Sequence, residues 1–302
     1  MLHLRVVSPA GRTDEIVALL RAERAASNLT FLPGAALEPP GDVVTCDVAR
    51  EAVNDVLAAL RVMGIHREGS IAVEHIDVSV SDVAEAAERF APGFGSDAAV
   101  WEEVDARVRD DSTLTAGYLT FLVVASLIAA VGLMEDSTVL VVGAMVVGPE
   151  FGPIAGLSVG LFKRRGRRVR TALTTLAVGL VAGIVAAYVF TLGADALDLV
   201  PDRERALTAF VVEPSVFSAV IAFLAGIVGT LSLTQAKAGA LIGVLISVTT
   251  IPAAAAIGVS AALGNPTDAR GAAVQLLLNV VALVVAGVVT LWVQRAAWEL
   301  VD

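Results

Sequence analysis

The chain has 302 residues, 56% apolar and only 17% charged, with a mean hydropathy of +0.78 and a formal net charge of −10. Soluble proteins average about 25% charged residues, so the composition argues against an ordinary soluble enzyme, a disordered chain, or a nucleic-acid binder with its basic face. The charge is also uneven: residues 1–113 hold 10 Lys+Arg against 20 Asp+Glu, and residues 114–302 hold 11 of each.

The first 77 residues alternate like a small α/β unit. His3–Ser8 reads as a strand, and Pro9-Ala10-Gly11 as a turn. Thr13 then opens a helix with Asp14 and Glu15 in its first turn, where acids suit the helix dipole. Asn28–Leu32 is a second strand, Pro33-Gly34 to Pro39-Pro40-Gly41 a loop, and Val43–Val48 a third strand. A helix opening near Asp47 carries Val53, Val56, Leu57 and Leu60 on one face and ends at Gly64 as a left-handed cap. Ser70–Val78 alternates again. The order β-α-β-β-α-β is the split βαβ arrangement of ferredoxin-like domains. Ser81–Phe90 and Trp101–Arg109 are further helical stretches, the second leading toward the apolar half. Cys46 is the single cysteine and falls in a strand, where it fills core space. No long apolar run opens the chain, so no signal peptide is expected.

From Leu114 the pattern changes. Leu114–Leu133 has no charge over 20 residues, the length that crosses ~30 Å of hydrocarbon. Further apolar spans follow at Thr138–Phe162, Thr171–Ala194, Pro214–Ala236, Ala238–Leu263 and Gly271–Gln294, giving six transmembrane helices. The connection Lys163-Arg164-Arg165-Gly166-Arg167-Arg168-Val169-Arg170 carries six cations and is assigned to the cytoplasmic side. Counting spans from it puts both termini, Lys237 and Arg295 inside. The opposite loops are predominantly acidic, and Trp292 and Trp298 bracket the inner end of the last span. The expected location is the cell (inner or plasma) membrane.

Shifting the sequence by 100 residues superposes the six spans as three plus three without gaps: Leu133 meets Leu233, Gly143 meets Gly243, and Arg170 meets Arg270. Three spans per copy reverse the second copy in the membrane. That is an inverted-topology repeat, common among secondary transporters. The middle span of each copy is interrupted. Gly148, Pro149, Gly152 and Pro153 lie at the centre of the second span, and Pro252 follows Ser247, Thr249 and Thr250 in the fifth. Proline removes an N–H and clashes with the preceding turn. A broken helix survives in hydrocarbon only where protein or a water-filled cavity satisfies its backbone.

Glu150 is the one ionisable residue deep inside a span, and the shift sets it on Thr250. Such a charge costs at least ~2.5 kcal/mol on insertion scales, so it should face the bundle. The candidate solute- or ion-binding residues are therefore Glu150, Gly148, Pro149, Gly152, Pro153, Ser247, Thr249, Thr250 and Pro252, with Asn279 in the sixth span as a weaker member. His3, His66 and His75 are scattered through the soluble part. No metal-ligand spacing, nucleotide loop or catalytic constellation is seen, so no metal, cofactor or enzymatic activity is expected.

The interrupted segments resemble the bacterial and archaeal "uncharacterised hydrophobic domain" family. Its signature looks like Gly-Ala-Met-(apolar)₂-Ser-Pro-(apolar)₂-Gly-Pro-Ile. Gly143-Ala144-Met145, Pro149 and Gly152-Pro153-Ile154 match it, Gly148 replaces the usual Ser, and Glu150 stands where many members carry an apolar residue. A later family segment is similar to Gly243-Val244, Ile246-Ser247-Val248 and Pro252, with Ala253 in place of a second Pro. The resemblance covers roughly 114–262 and implies an integral membrane fold without an assigned activity.

The expected architecture is a membrane α-helical protein: six transmembrane helices as a 3+3 inverted repeat with two interrupted helices (114–302), a linker helix (93–113), and a small cytoplasmic ferredoxin-like α+β domain (1–92). Its expected partners are the lipid bilayer, a small solute or ion, and further copies of itself, and not nucleic acid. The expected function is secondary transport or permeation. The rival is a membrane-anchored sensor or scaffold whose soluble domain binds a ligand or partner.

Overall fold

The computed structural model describes residues 1–76, 78–91, 100–201, 209–234 and 250–298. Met1–Val104 forms most of one compact unit; Asp105–Leu233 and the described residues from Thr250 to Ala297 form the other.

The first unit is a four-stranded antiparallel sheet in the order β2-β3-β1-β4, from β1 (Leu2–Ser8), β2 (Ala26–Leu37), β3 (Pro40–Val48) and β4 (Ser70–His75). Helices α1 (Thr13–Ala22), α2 (Val53–Val62) and the short α3 (Ile65–Glu68) connect them. This is the split βαβ order read from the sequence. Period-two alternation sends Leu4, Val6, Val44, Cys46 and Val48 into a core shared with Ile16, Leu20, Val56 and Leu60. Gly64 has φ +80, the left-handed conformation expected of it. Several boundaries differ from expectation; β4, for one, stops at His75 instead of running to Val78. The stretch from Pro33 to Gly41, read as a loop, is mostly hairpin: β2 runs to Leu37 with a register shift between Leu32 and Ala36. An edge strand tolerates proline where a central one would not. Helix α2 opens at Val53, because β3 keeps pairing through Val48.

Cys46 is wholly buried, and burial, reinforced by the Asp47 charge, pushes its thiol up to about 12. The native protein should therefore resist maleimide at mildly alkaline pH and react only once unfolded. Rapid native labelling would contradict this packing.

Helix α4 (Asp82–Glu88) is capped by Ser81, whose hydroxyl accepts from the Ala84 N–H. Helix α5 (Trp101–Asp111) begins in the first unit, where Arg50 and His75 pair with Glu103. Its remainder belongs to the second unit.

The second unit is helical. Its elements are α6 (Ala116–Met134), α7 (Thr138–Val147), α8 (Phe151–Phe162), α9 (Gly166–Ala196), α10 (Val216–Thr234), α11 (Ile251–Ala262) and α12 (Pro266–Trp298). Helices α6, α9, α10 and α12 are each long and apolar enough to cross a membrane; α7 and α8 together form a fifth candidate span bent by 56°. Their outward faces are hydrocarbon: Phe121 and Val124 on α6, Val181, Val185 and Val189 on α9, Ile221 and Leu224 on α10, and Leu277 and Val281 on α12 are exposed. Water would not tolerate such faces, whereas lipid tails would. These are the helices of a multi-pass membrane protein.

Small residues set the packing, as expected where helices associate by close approach. On α9, Thr175, Gly179, Gly183 and Ala187 form a buried stripe. A Cβ at Gly183 would lie 2.3 Å from the Ser126 hydroxyl on α6.

Element boundaries recur 100 residues on. Helix α6 begins and ends 100 residues before α10, α8 does so before α11, and α9 begins 100 before α12. The turns repeat too: the Arg165 N–H donates to Gly160 O, and the Asn265 N–H to Ser260 O. Arg164 and Gly264 share a positive φ in these turns. Contacts follow the same rule. Ser126 meets Gly183, and Gly226 meets Leu283; Ser158 meets Gly287, and Gly258 meets Ala187.

Candidate functional site

The α7–α8 pair is interrupted where the sequence placed the break. Helix α7 stops at Val147 because Gly148 is extended (φ −65, ψ 128) and Pro149 follows it. Helix α8 starts one residue past Glu150. Pro153 lies in the first turn of α8, where its missing N–H would have had no intrahelical acceptor. It therefore starts the second half rather than breaking it. Pro252 plays the same part in α11, at the second helical position after Thr250.

Glu150 and Thr250 thus stand at the N-termini of two half-helices, and they meet. The Thr250 hydroxyl donates to Glu150 Oε1 at 2.6 Å, and both residues are fully buried. A half-helix N-terminus favours negative charge, so α8 and α11 both suit a carboxylate placed there. Around the pair, Ile251 packs with Leu122, Ala144 and Met145. Among the described residues, a carboxylate and a hydroxyl thus meet beside apolar side chains.

The structure places the remaining candidates as follows. Gly148 and Pro149 are half-buried in the break; Gly152 and Pro153 are buried in α8. Pro252 is buried in α11. Asn279 is buried on α12, between Leu276 and Val280, which pack against α11 around Ala253 and Ala254. Ser247 and Thr249 lie outside the described residues, as does the Gly243–Val248 part of the fifth span expected from the sequence.

Two contributors were missed. Tyr118 on α6 is buried, lies within electrostatic range of Glu150, and its hydroxyl makes no hydrogen bond among the described residues. Only its polar tip inside an otherwise apolar span could have drawn attention to it. The other is the segment before α6. Gly152 lets the backbone of Asp111 approach α8, since a Cβ there would lie 2.2 Å from Asp111 O. The Ser112 hydroxyl donates to Gly152 O at 3.0 Å, two residues from Glu150. Gly156 one turn on is equally close to Ser112. Gly152→Ala should therefore lower stability by about 1–3 kcal/mol through overpacking, read as a lower midpoint of thermal unfolding in detergent. An unchanged midpoint would show that the seat yields freely.

Asp105 on α5 anchors the same segment from its other end. Lys163 and Arg168 reach its Oδ1 at 2.9 and 2.6 Å, and Arg165 its Oδ2 at 2.8 Å. Burial pushes the Asp105 carboxyl up, but the bonds and charges of Lys163 and Arg168 outweigh it and hold it below the ordinary carboxylate value. A lowered folded-state pKa adds stability that is present above the unfolded value, ~3.9, and is lost as pH falls through the folded value. Acid should thus loosen this anchor as pH falls below about 4. Asp105→Asn should remove that part of the acid dependence; an unchanged pH–stability profile would contradict it.

Among the described residues no group of three or more His, Cys, Asp and Glu side chains is arranged to hold a metal ion. No solved structure matches the chain. A curated protein of the archaeon Methanocaldococcus jannaschii, itself named only as uncharacterized, is 22% identical over 192 residues, covering 62% of this chain and 57% of that protein. The chain thus matches less than two thirds of that relative's length. Residues 145–285, which contain Glu150, Thr250 and the helices that hold them, match the family described as a domain of unknown function, DUF389.

Proposed function

We propose that this protein is a secondary transporter or permeation pathway for a small solute or ion, with its site where the two interrupted spans meet. The observation that carries the reading is the Glu150–Thr250 contact. Two residues 100 apart touch directly, fully buried, each at the start of a half-helix. In an inverted repeat a residue that touches its own counterpart lies on the pseudo-two-fold axis. That axis runs in the membrane plane, so the pair sits near the midplane, where transporters of this kind bind substrate.

The repeat itself is supported by the recurring helix boundaries and turns and by the exchanged contacts Ser158–Gly287 and Gly258–Ala187. Each short helix packs on the long helix of the other copy, which is the reciprocity a two-fold requires. The reading is six spans, the fifth comprising α11 and the segment before it. The Lys163–Arg170 block then puts both termini on the cytoplasmic side of the cell membrane. A buried carboxylate favours a cation or a proton-coupled solute over an anion.

The test is flux. Purified protein in liposomes is assayed for proton, monovalent-cation and small-solute movement against protein-free vesicles. Movement above background for one class supports the reading. A broad panel without movement favours the alternative, a membrane-anchored sensor or scaffold.

A further inference from the structure

We propose that the connection between α8 and α9, together with the first turn of α9, is a binding site for an anionic phosphate group, with a lipid headgroup as its natural source, and that Asp105 is a built-in competitor for it. Lys163, Arg165 and Arg168 converge on one carboxylate, using both of its oxygens. Among the described residues, these three cations share the one Asp105 carboxylate. Arg164 beside them, and Arg167 and Arg170 in the first turns of α9, are exposed and add positive charge. A cradle of two guanidinium groups and an ammonium suits a phosphate at least as well as a carboxylate, because phosphate offers oxygens in a tetrahedral arrangement and guanidinium groups bind it in bidentate fashion.

The position favours a lipid source. Phe162 ends a membrane helix and Gly166 starts another, so the loop lies at the level of headgroups. Each Lys or Arg near an anionic bilayer surface gains about 1 kcal/mol, which is about fivefold in affinity. The first helical residue of α9, Gly166, meets nothing within 4 Å at its Cβ position among the described residues, so a headgroup can approach that helix N-terminus. Asp105 and a phosphate would want the same three cations. Phosphate binding therefore weakens the hold on the α5 segment, whose far end is seated on Gly152.

The full chain, purified from vesicles of phosphatidylcholine mixed with phosphatidylglycerol, is analysed by native mass spectrometry for retained anionic lipid, with thermal unfolding as the check on folding. Wild-type protein should retain phosphatidylglycerol in preference to phosphatidylcholine. Arg165→Gln, at a half-exposed side chain, should lower retention about fivefold. Asp105→Asn should raise it about two- to fivefold, because the competitor is gone. Retention that survives excess inorganic phosphate assigns the lipid as the source; displacement assigns free phosphate to the same site. Equal retention of the two lipids, or no loss in Arg165→Gln, overturns the site whether or not Asp105→Asn folds. A folded Asp105→Asn with unchanged or reduced retention overturns the competition.

Discussion

If the protein transports as proposed, Glu150→Gln should lower flux by about 100-fold while the protein stays folded. Removing one partner from a buried charged interaction costs about 2–5 kcal/mol, and about 3 kcal/mol corresponds to a hundredfold. Glutamine keeps the size of the side chain and an acceptor oxygen for the Thr250 hydroxyl. It also removes a buried charge that costs at least ~2.5 kcal/mol in hydrocarbon. The midpoint of thermal unfolding should therefore hold or rise. Thr250→Val tests the other half of the contact. It leaves the carboxylate without this donor and should cost about 1.5–3 kcal/mol, the range for a hydrogen bond to a charged group. Wild-type flux in a folded Glu150→Gln would end the assignment of transport to this carboxylate. A stable variant without flux would separate its chemical role from a structural one.

Gly258→Leu should destabilise the membrane unit by roughly 3 kcal/mol, the upper end for overpacking. A Cβ at Gly258 would lie 2.6 Å from Ile184 O and 2.8 Å from the Tyr188 nitrogen, both backbone atoms of α9. Backbone cannot rotate away as a side chain can, so α11 must separate from α9. Since α11 carries Thr250 at its start, the Glu150 contact should be lost with it. The control is Gly143→Leu on α7, whose Cβ position meets nothing within 4 Å among the described residues. It should change stability by no more than about 0.5 kcal/mol. Thermal unfolding of both variants in one detergent decides the matter; similar midpoints would mean that the close approach at Gly258 is not needed.

These two glycines show what the sequence could and could not convey. Both lie in apolar segments rich in glycine, and nothing in their neighbours separates them. Only the crossing of α11 over α9 makes one essential and leaves the other open. The break before α8 was legible, because Gly148-Pro149 forbids a continuous helix whatever surrounds it. The function of Pro153 was not, since a proline either interrupts a helix or starts one, and the difference lies in where the preceding turn ends. The anchor at Asp105 was equally hidden. An acid on a charged helix looks solvated until the basic loop, far along the chain, is folded against it.

The sequence by itself determined the composition-driven features. These are the α/β order of the first unit, the apolar helices, the interruption at Gly148-Pro149, and the exceptional position of one carboxylate. Local sterics and hydrophobic periodicity act over a few residues, so a linear reading captures them. Tertiary structure alone decided that Glu150 meets Thr250, that Gly152 and Gly156 seat the segment before α6, and that three cations share Asp105. Those contacts join residues that are far apart in the chain. Their geometry depends on how closely small residues let one helix approach another, and that distance is written in the packing.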